Sequence, residues 1–389
     1  MALSATVGIL LGVASVSAAP ELGPGWRRPD PDTLSQRYGV LWKADLGTFK
    51  LFATNGEEWA RPLISTDGTW VFVGSHAGRL EARRLTNGEL LWKKERAGAI
   101  GAEMAQVGRT LLVGVDSDLV GMHTTTGDED WRVPLGGRIG GGIAIEGKIA
   151  VLPVRPNEVV AVDLVEHTVL WRVKRPTPDG LTIRGQATPL IDSARQVAYL
   201  GFSDGTAMAV RLDSGEQVWA AALGDQTEYF ADVDASPVLV EEGNRLLWPA
   251  YNTGLFKLEA ETGAIVWQLE AAKHLISLAP TPEGLIVASQ GGGQVLAMEP
   301  EKGRVRWRYH TKSGAPTLPV MLPGPYLVVG STEGPTSVLS RVDGRPVQLI
   351  DPGPGTSVAP AVLGHRMVIF SNGGLVLALA EHGGGWVIH

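Results

Sequence analysis

The chain has 389 residues, of which 44% are hydrophobic and 19% are charged, and its formal net charge is −7. This composition excludes a disordered chain, and a negative charge without any basic run argues against nucleic acid or an anionic membrane surface as a partner. The sequence contains no cysteine, which excludes disulfides, thiolate metal sites and cysteine nucleophiles.

The N-terminus is an uncharged run of small and apolar residues over positions 2–19, followed by Pro20. Such a run is typical of a secretory signal peptide, although no Lys or Arg precedes it. A membrane anchor or a start codon placed too far upstream is the alternative. We therefore expect a signal peptide or N-terminal anchor over 1–19, a linker over 20–37 and a single domain over 38–389.

From residue 38 onward, a glycine or a substitute for it precedes a tryptophan by four positions in each of a series of repeats. The mean spacing over the eight intervals from Trp42 to Trp386 is about 43 residues, which suits one four-stranded propeller blade. Gln348 stands where one repeat has lost its tryptophan. We expect the aromatic residues to be structural blade anchors that pack in the core, in preference to a cofactor stack or a sugar platform. They are Trp42, Trp92, Trp131, Trp171, Trp219, Trp267 and Trp307.

Each repeat reads as four short strands, because apolar residues alternate with polar ones and turns follow at close intervals. A proline is predicted at the opening of the first strand, where no ladder N–H is needed. These prolines are Pro62, Pro189, Pro237, Pro280, Pro319 and Pro360. The pattern predicts an all-β fold, an eight-bladed β-propeller of four-stranded antiparallel blades. We expect residues 38–46 to close the ring as the last fourth strand, with the tail around Trp386 as the competing candidate.

Three short motifs suggest chemistry and are set aside. Residues 201–205 (GFSDG) match the G-x-S-x-G nucleophile elbow, but the next segment reads as a strand where that elbow requires a helix. Residues 116–118 (DSD) lack the rest of a calcium loop, and the glycine-rich residues 136–142 lack the Lys-Ser/Thr of a phosphate loop. We therefore expect no catalytic residues, no metal and no cofactor.

The connection from the tryptophan position to the next opening proline varies in length. It is long and equal in two consecutive repeats, over 171–189 and 219–237, and slightly longer over 42–62. It is clearly shorter in the repeats that start at Trp267, Trp307 and Gln348. Insertions in a repeat protein fall on loops of one face, often the binding face, and consecutive repeats place the two equally long connections side by side.

The contents of these two connections suggest a docking patch. Leu181 and Ile183 are apolar residues in a surface connection, next to Arg184, and the following connection holds Asp232 and Asp234. Apolar anchors beside an arginine and carboxylates are typical of protein interfaces. Alternatively, Arg184 pairs with one of the two aspartates and only ties the loops together. The two interpretations can coexist.

Two segments carry a specific resemblance. Residues 180–189 (GLTIRGQATP) are similar to the Leu-x-Leu-Arg-Gly-Glu-Ser-x-Pro segment of the outer membrane protein assembly factor BamB family. Residues 232–237 (DVDASP) and 250–254 (AYNTG) resemble that family's Asp-Val-Asp-x-x-Pro and Ala-Tyr-Asn-Gly segments. The resemblance covers roughly residues 38–380 and implies an eight-bladed propeller of the quinoprotein-like class.

The resemblance also implies a function. Family members dock on the periplasmic POTRA domains of the barrel protein BamA, which would make Leu181, Ile183, Arg184, Asp232 and Asp234 the partner-binding residues here. It implies a non-enzymatic scaffold at the inner face of the outer membrane, monomeric by itself, with unfolded outer-membrane proteins as further partners. Family members usually carry a lipidated cysteine, and this chain departs from that pattern. The alternative function is a quinoprotein-like propeller that binds a small molecule or a sugar, related to PQQ-dependent dehydrogenases.

Overall fold

The computed structural model describes residues 36–46, 60–95, 98–177, 186–224 and 232–382. These residues form eight four-stranded antiparallel sheets, which are the eight predicted blades of an all-β propeller. Within those ranges, no helix has the length and apolar character needed to cross a membrane. The expectations for 1–19 and for most of 20–37 fall on residues outside this description, as does the tail around Trp386.

Blades 1 to 4 follow one another along the chain, each as a meander from the innermost to the outermost strand. Blade 1 contains β2 (Leu63–Ile64), β3 (Trp70–Gly74), β4 (Arg79–Arg84) and β5 (Leu90–Glu95). Blade 2 contains β6 (Ala105–Val107), β7 (Thr110–Val115), β8 (Asp118–His123) and β9 (Glu129–Pro134). Blade 3 contains β10 (Ala144–Glu146), β11 (Ile149–Val154), β12 (Glu158–Asp163) and β13 (Thr168–Lys174). Blade 4 contains β14 (Leu190–Asp192), β15 (Val197–Gly201), β16 (Thr206–Arg211) and β17 (Gln217–Ala222).

Blades 5 to 7 repeat this order, and blade 8 takes one strand from the beginning of the chain. Blade 5 contains β18 (Val238–Val240), β19 (Arg245–Ala250), β20 (Gly254–Glu259) and β21 (Ile265–Leu269). Blade 6 contains β22 (Leu275–Pro280), β23 (Ile286–Gln290), β24 (Gln294–Met298) and β25 (Val305–His310). Blade 7 contains β26 (Val320–Leu322), β27 (Tyr326–Val329), β28 (Thr336–Ser340) and β29 (Pro346–Ile350). Blade 8 contains β30 (Ala361–Leu363), β31 (Arg366–Phe370), β32 (Leu375–Glu381) and β1 (Tyr38–Asp45).

The ring is closed by β1, which pairs antiparallel with β32 from Tyr38 opposite Glu381 to Asp45 opposite Leu375. Residues 38–46 therefore supply the fourth strand of the last blade, as the sequence analysis expected. Pairing of the two ends of the domain leaves no interruption in the ring and removes a free sheet edge.

The core lies between neighbouring blades. The two middle strands of a blade are covered on both faces, so β15 is buried at every position and β16 at all but its last. The outermost strand alternates, and β17 turns Trp219 inward while Val218 stays exposed. Across one interface, Tyr199 and Trp219 of blade 4 pack with Trp248 of blade 5. Burial on both faces explains why the middle strands read as continuous apolar runs.

The repeated glycine and tryptophan contact each other across blades. The Trp171 indole N–H of blade 3 donates to the backbone oxygen of Leu212 in blade 4 at 2.9 Å. Gly215, in the same blade 4 turn, has φ +71°, and a Cβ there would lie 2.7 Å from the Trp171 ring. The glycine thus adopts the positive φ of the turn and also leaves room for the tryptophan ring of the preceding blade. The same pair of contacts recurs at Trp42 with Gly88, Trp92 with Gly127, Trp219 with Gly263 and Trp307 with Gly344.

Two of the predicted blade anchors, Trp131 and Trp267, depart from this arrangement, and both are half-buried rather than buried. Trp131 stacks on His167, which takes the glycine position of the next turn, with ring centroids 4.5 Å apart. The Trp267 indole N–H is buried without a hydrogen bond to any described residue. At that interface Gly303 faces Leu269 instead.

The lost tryptophan at Gln348 has a structural reason. Blade 8 has no hairpin between its third and fourth strands, because β1 comes from the other end of the domain. Gln348 instead accepts a hydrogen bond from the Tyr38 backbone N–H at 2.7 Å and donates one to the Tyr38 carbonyl at 2.8 Å. A side-chain amide matches the donor and acceptor of a backbone unit. Gln348 of blade 7 therefore binds the closing strand β1, whereas the tryptophan at this position in other blades binds the turn between the third and fourth strands of the next blade.

One predicted strand boundary is wrong. Pro280 is the last residue of β22, whereas the other five predicted prolines directly precede the first strands of their blades. Only residues 270–274 separate blade 5 from blade 6, so the first strand of blade 6 begins earlier, at Leu275. The proline then pairs with Ile286 at the far end of that strand.

Candidate functional site

The connections between blades lie on one face of the ring. In a four-stranded meander, the turn between the second and third strands and the connection to the next blade leave from the same edge of the sheet. Three connections are long, namely residues 46–62, 175–189 and 223–237, whereas the other five are much shorter. We call residues 175–189 and 223–237 the first and second long links. They flank blade 4 and are neighbours, as the sequence analysis predicted.

The predicted docking residues divide into two groups. Leu181, Ile183 and Arg184 lie in residues 178–185, outside the described residues. The Asp232 side chain is 2% exposed, and its backbone oxygen accepts a hydrogen bond from the Tyr251 N–H at 3.1 Å. Asp234 is half-buried and lines the central cavity. Of these two carboxylates, Asp234 is therefore the more accessible to a partner.

The first long link is held where it leaves blade 3. The Arg175 Nε donates to Asp204 at 2.9 Å, and Arg175 Nη2 donates to the Thr206 hydroxyl at 3.1 Å. The buried Asn157 donates through Nδ2 to the Pro176 oxygen at 2.8 Å and accepts from the Ser203 N–H at 3.0 Å. The start of the link is thus attached to the turn between β15 and β16.

The second long link is held at both ends by that same turn. The N–H groups of Leu223 and Gly224 donate to the Gly205 oxygen at 2.9 and 3.0 Å. After the link returns, the Val233 N–H donates to the Phe202 oxygen at 3.1 Å. Residues 202–205 are therefore a hairpin turn between β15 and β16, and the GFSDG motif is followed by a strand, as expected, where a nucleophile elbow requires a helix.

A central cavity of about 470 Å³ opens on the same face and is lined by residues from all around the ring. Its charged lining includes Glu103, Asp116, Arg138, Arg155 and Asp234. Arg138 approaches Asp116 at 3.7 Å, whereas Glu103 and Arg155 form no ion pair with any described residue. Glu103 also lines a second cavity of about 270 Å³ beside β2 and β30.

The glycine-rich connection into blade 3 is part of the cavity wall. A Cβ on Gly141 would lie 2.5 Å from the Gln186 oxygen, and one on Gly142 would lie 2.7 Å from the Thr188 hydroxyl. The glycines thus permit close contact with the end of the first long link, which accounts for them without phosphate binding. Among the residues that the structure describes, no three His, Asp or Glu side chains are arranged to hold a metal ion.

Sequence reasoning missed Asn157, Arg175 and Asp204. Their signal was present, since Asp204 occupies a turn position where blade 1 has Ala77 and blade 8 has Gly373. The partner of Asp204 is Arg175, which lies in the link after blade 3, so only the assembled ring shows what the Asp204 carboxylate binds.

The family model described as "Outer membrane protein assembly factor BamB" matches residues 36–131, 76–260 and 252–385. The chain belongs to the BamB family. The BamB of Yersinia pestis is 24% identical over 337 residues, which cover 81% of this chain and 83% of that protein. The BamB of Pseudomonas aeruginosa is 29% identical over 205 residues, about half of each chain.

Solved structures share the fold. BamB from Moraxella catarrhalis matches with a TM-score of 0.70 at 19% identity, covering 88% of this chain and 99% of that chain. A europium-containing methanol dehydrogenase matches with a TM-score of 0.69 at 13% identity, covering 88% of this chain and 93% of that chain. At such low identity these similarities concern the propeller alone and carry no activity to this chain.

Proposed function

We propose that this BamB-family propeller is a non-enzymatic periplasmic scaffold for outer-membrane protein assembly. It docks on the POTRA domains of a BamA-like barrel protein and helps to deliver outer-membrane proteins as clients. The observation that carries this proposal is the pair of neighbouring long links, because they contain the two segments that resemble the family's docking segments. Long loops on a rigid scaffold are the usual place for binding residues.

In this proposal the side chains have different roles. Burial of Leu181 and Ile183 in the partner supplies affinity, and Arg184 sets the register of the complex through charge-assisted hydrogen bonds. Since Asp232 is 2% exposed, we assign to it the support of the second long link. We assign to Asp234, which is half-buried at the cavity, the contact with the partner.

The location follows from the same proposal. The apolar run over 2–19 favours export, and the partner would hold the propeller at the inner face of the outer membrane. An anchor through a lipidated cysteine is not part of the proposal, since the sequence contains none.

Arg184→Glu tests the docking site. We expect the substitution to weaken POTRA binding by more than about 2 kcal/mol, roughly 30-fold in Kd, as for a typical interface hot spot. The matched control is Lys312→Glu, the same charge reversal at an exposed position in the short connection between blades 6 and 7, which should leave Kd unchanged. Equal Kd values for both folded variants, measured by calorimetric titration, would contradict the proposed site.

The central cavity favours a second candidate function, the binding of a small polar molecule. A volume of about 470 Å³ suits a small ligand, and Arg155 and Glu103 would meet its charges. The test is a thermal-shift titration with pyrroloquinoline quinone and with oligosaccharides. A saturable rise in Tm supports this candidate, and no rise at millimolar ligand argues against it.

A further inference from the structure

We infer that the turn at residues 202–205, with the strand residues Gly201 and Thr206 that flank it, is the positioning element of the docking site and fixes the two long links relative to each other. This inference rests on the proposed function, because it assumes that a partner contacts both links. It assigns Asp204 and Gly201 as positioning residues, distinct from the residues that touch the partner.

The hydrogen bonds already described place three link ends on this turn. Arg175 at the start of the first link binds Asp204, the start of the second link binds the Gly205 oxygen, and its end binds the Phe202 oxygen. The fourth end approaches Gly201, where an added Cβ would lie 3.3 Å from the Cβ of Ala187. All four ends of the two links therefore meet one short segment of blade 4.

The charge of Asp204 is separable from the shape of the turn. Asp204 Oδ1 accepts the Thr206 N–H at 3.1 Å and keeps the turn closed, whereas Oδ2 accepts from Arg175 at 2.9 Å. An asparagine retains the first acceptor and loses the negative charge that holds the guanidinium. Asp204 is 8% exposed and the Arg175 side chain is 32% exposed, so the ion pair is partly shielded from solvent and constrains Arg175 more than a fully exposed pair would.

Gly201 is the second position where the turn can be altered. A Cβ at this residue would lie 2.3 Å from the Val233 oxygen, so alanine must displace the returning end of the second link. The displaced segment carries Asp232 and Asp234. Gly201→Ala thus perturbs the second link, and Asp204→Asn perturbs the first.

A binding experiment on the full chain tests this inference. Association and dissociation rates with the POTRA domains are measured for wild type, Asp204→Asn, Asp204→Glu and Gly201→Ala. We expect Asp204→Asn to lower the association rate by about tenfold with little change in dissociation, since a partner would meet links that are no longer pre-organised. Asp204→Glu retains the carboxylate and should recover most of that rate. Gly201→Ala should lower the affinity by at least about tenfold.

The matched control is Asp118→Asn. Asp118 forms an ion pair with Arg132 at 2.6 Å at the corresponding edge of blade 2, where no long link is attached. Asp118→Asn should bind like wild type. All variants are compared well below their melting temperatures, so that a loss of global stability alone leaves the rates unchanged.

The outcomes separate the two claims. If Arg184→Glu loses binding while Asp204→Asn associates like Asp118→Asn, the positioning role is wrong and the docking proposal stands. If the folded wild-type chain does not bind, both are wrong. If Asp204→Asn lowers the association rate and Asp204→Glu restores it, the inference is supported, and this variant decides the matter even if Gly201→Ala fails to fold.

Discussion

Two sectors of the ring use the same blades and differ in how these are connected. In the short-link sector, from β21 to β30, brief connections form hydrogen bonds through their own side chains. Thr317 Oγ1 accepts the Gly330 N–H at 2.9 Å, and Thr311 Oγ1 donates to the Gly293 oxygen at 2.9 Å. In the long-link sector, around blade 4, three of the link ends bind one hairpin turn. Arg175 of the first link binds the Asp204 carboxylate, and the second link binds the backbone oxygens of Phe202 and Gly205.

This difference indicates that separate parts of a repeat protein provide stability and binding. Side chains of a short connection bind backbone groups of the neighbouring turns, and these bonds add to the rigidity of the ring. A link as long as 175–189 or 223–237 exceeds what a connector needs, so its position has to be set by neighbouring blades. The most stable part of this molecule and its proposed binding part are therefore expected to respond to different substitutions.

We expect the largest loss of stability when the tryptophan packing between blades, which both sectors share, is removed. Trp219→Ala in the long-link sector and Trp307→Ala in the short-link sector each remove a 7% exposed indole that packs on the next blade. We expect each to lower the free energy of unfolding by about 3–5 kcal/mol, measured by chemical denaturation. Clearly unequal losses would show that the blades themselves differ between the two sectors, which contradicts the view that only their connections differ.

The ring closure should give the next largest effect. Gln348→Leu leaves the N–H and C=O of Tyr38 without the partners described above, and we expect a loss of about 2–3 kcal/mol in unfolding free energy. The same substitution at Gln268, which is exposed and donates one bond to the Thr253 oxygen, should cost below about 1 kcal/mol. Comparable losses at the two positions would mean that Gln348 does not hold the closing strand.

We expect the smallest loss of stability from a substitution within one short connection. Thr317→Val removes the hydroxyl that accepts the buried Gly330 N–H, and we expect about 1–2 kcal/mol of lost stability. Affinity for the POTRA domains should stay at the wild-type value. A weaker complex would place part of the binding surface in the short-link sector.

Much of this fold could be predicted from the sequence, because glycine and tryptophan recur at a blade-length period. The positive φ of Gly215 was foreseeable from its turn, and its contact with Trp171 was not, since the two belong to different repeats. Gln348 read as a decayed repeat until the closing strand placed Tyr38 beside it. The early start of β22 also escaped prediction, because the connection before it contains only residues 270–274 and the strand therefore begins ahead of its proline.

The site was less predictable. Link length and composition pointed to 181–184 and 232–234, and the docking role of these residues stays a prediction. The burial of Asp232 could not be read from a surface-like Asp-Val-Asp segment. The ion pair between Arg175 and Asp204 joins the first long link to a turn of blade 4 over 29 sequence positions, which no local pattern encodes.

The most direct test of the central claim is a hydrogen-exchange footprint of the propeller with and without the POTRA domains of its own organism's BamA-like protein. We expect slowed amide exchange in both long links, 175–189 and 223–237, and unchanged exchange in the short connections 311–319 and 351–360. Protection of the short connections, or of the outer strands, with both long links unaffected would contradict it.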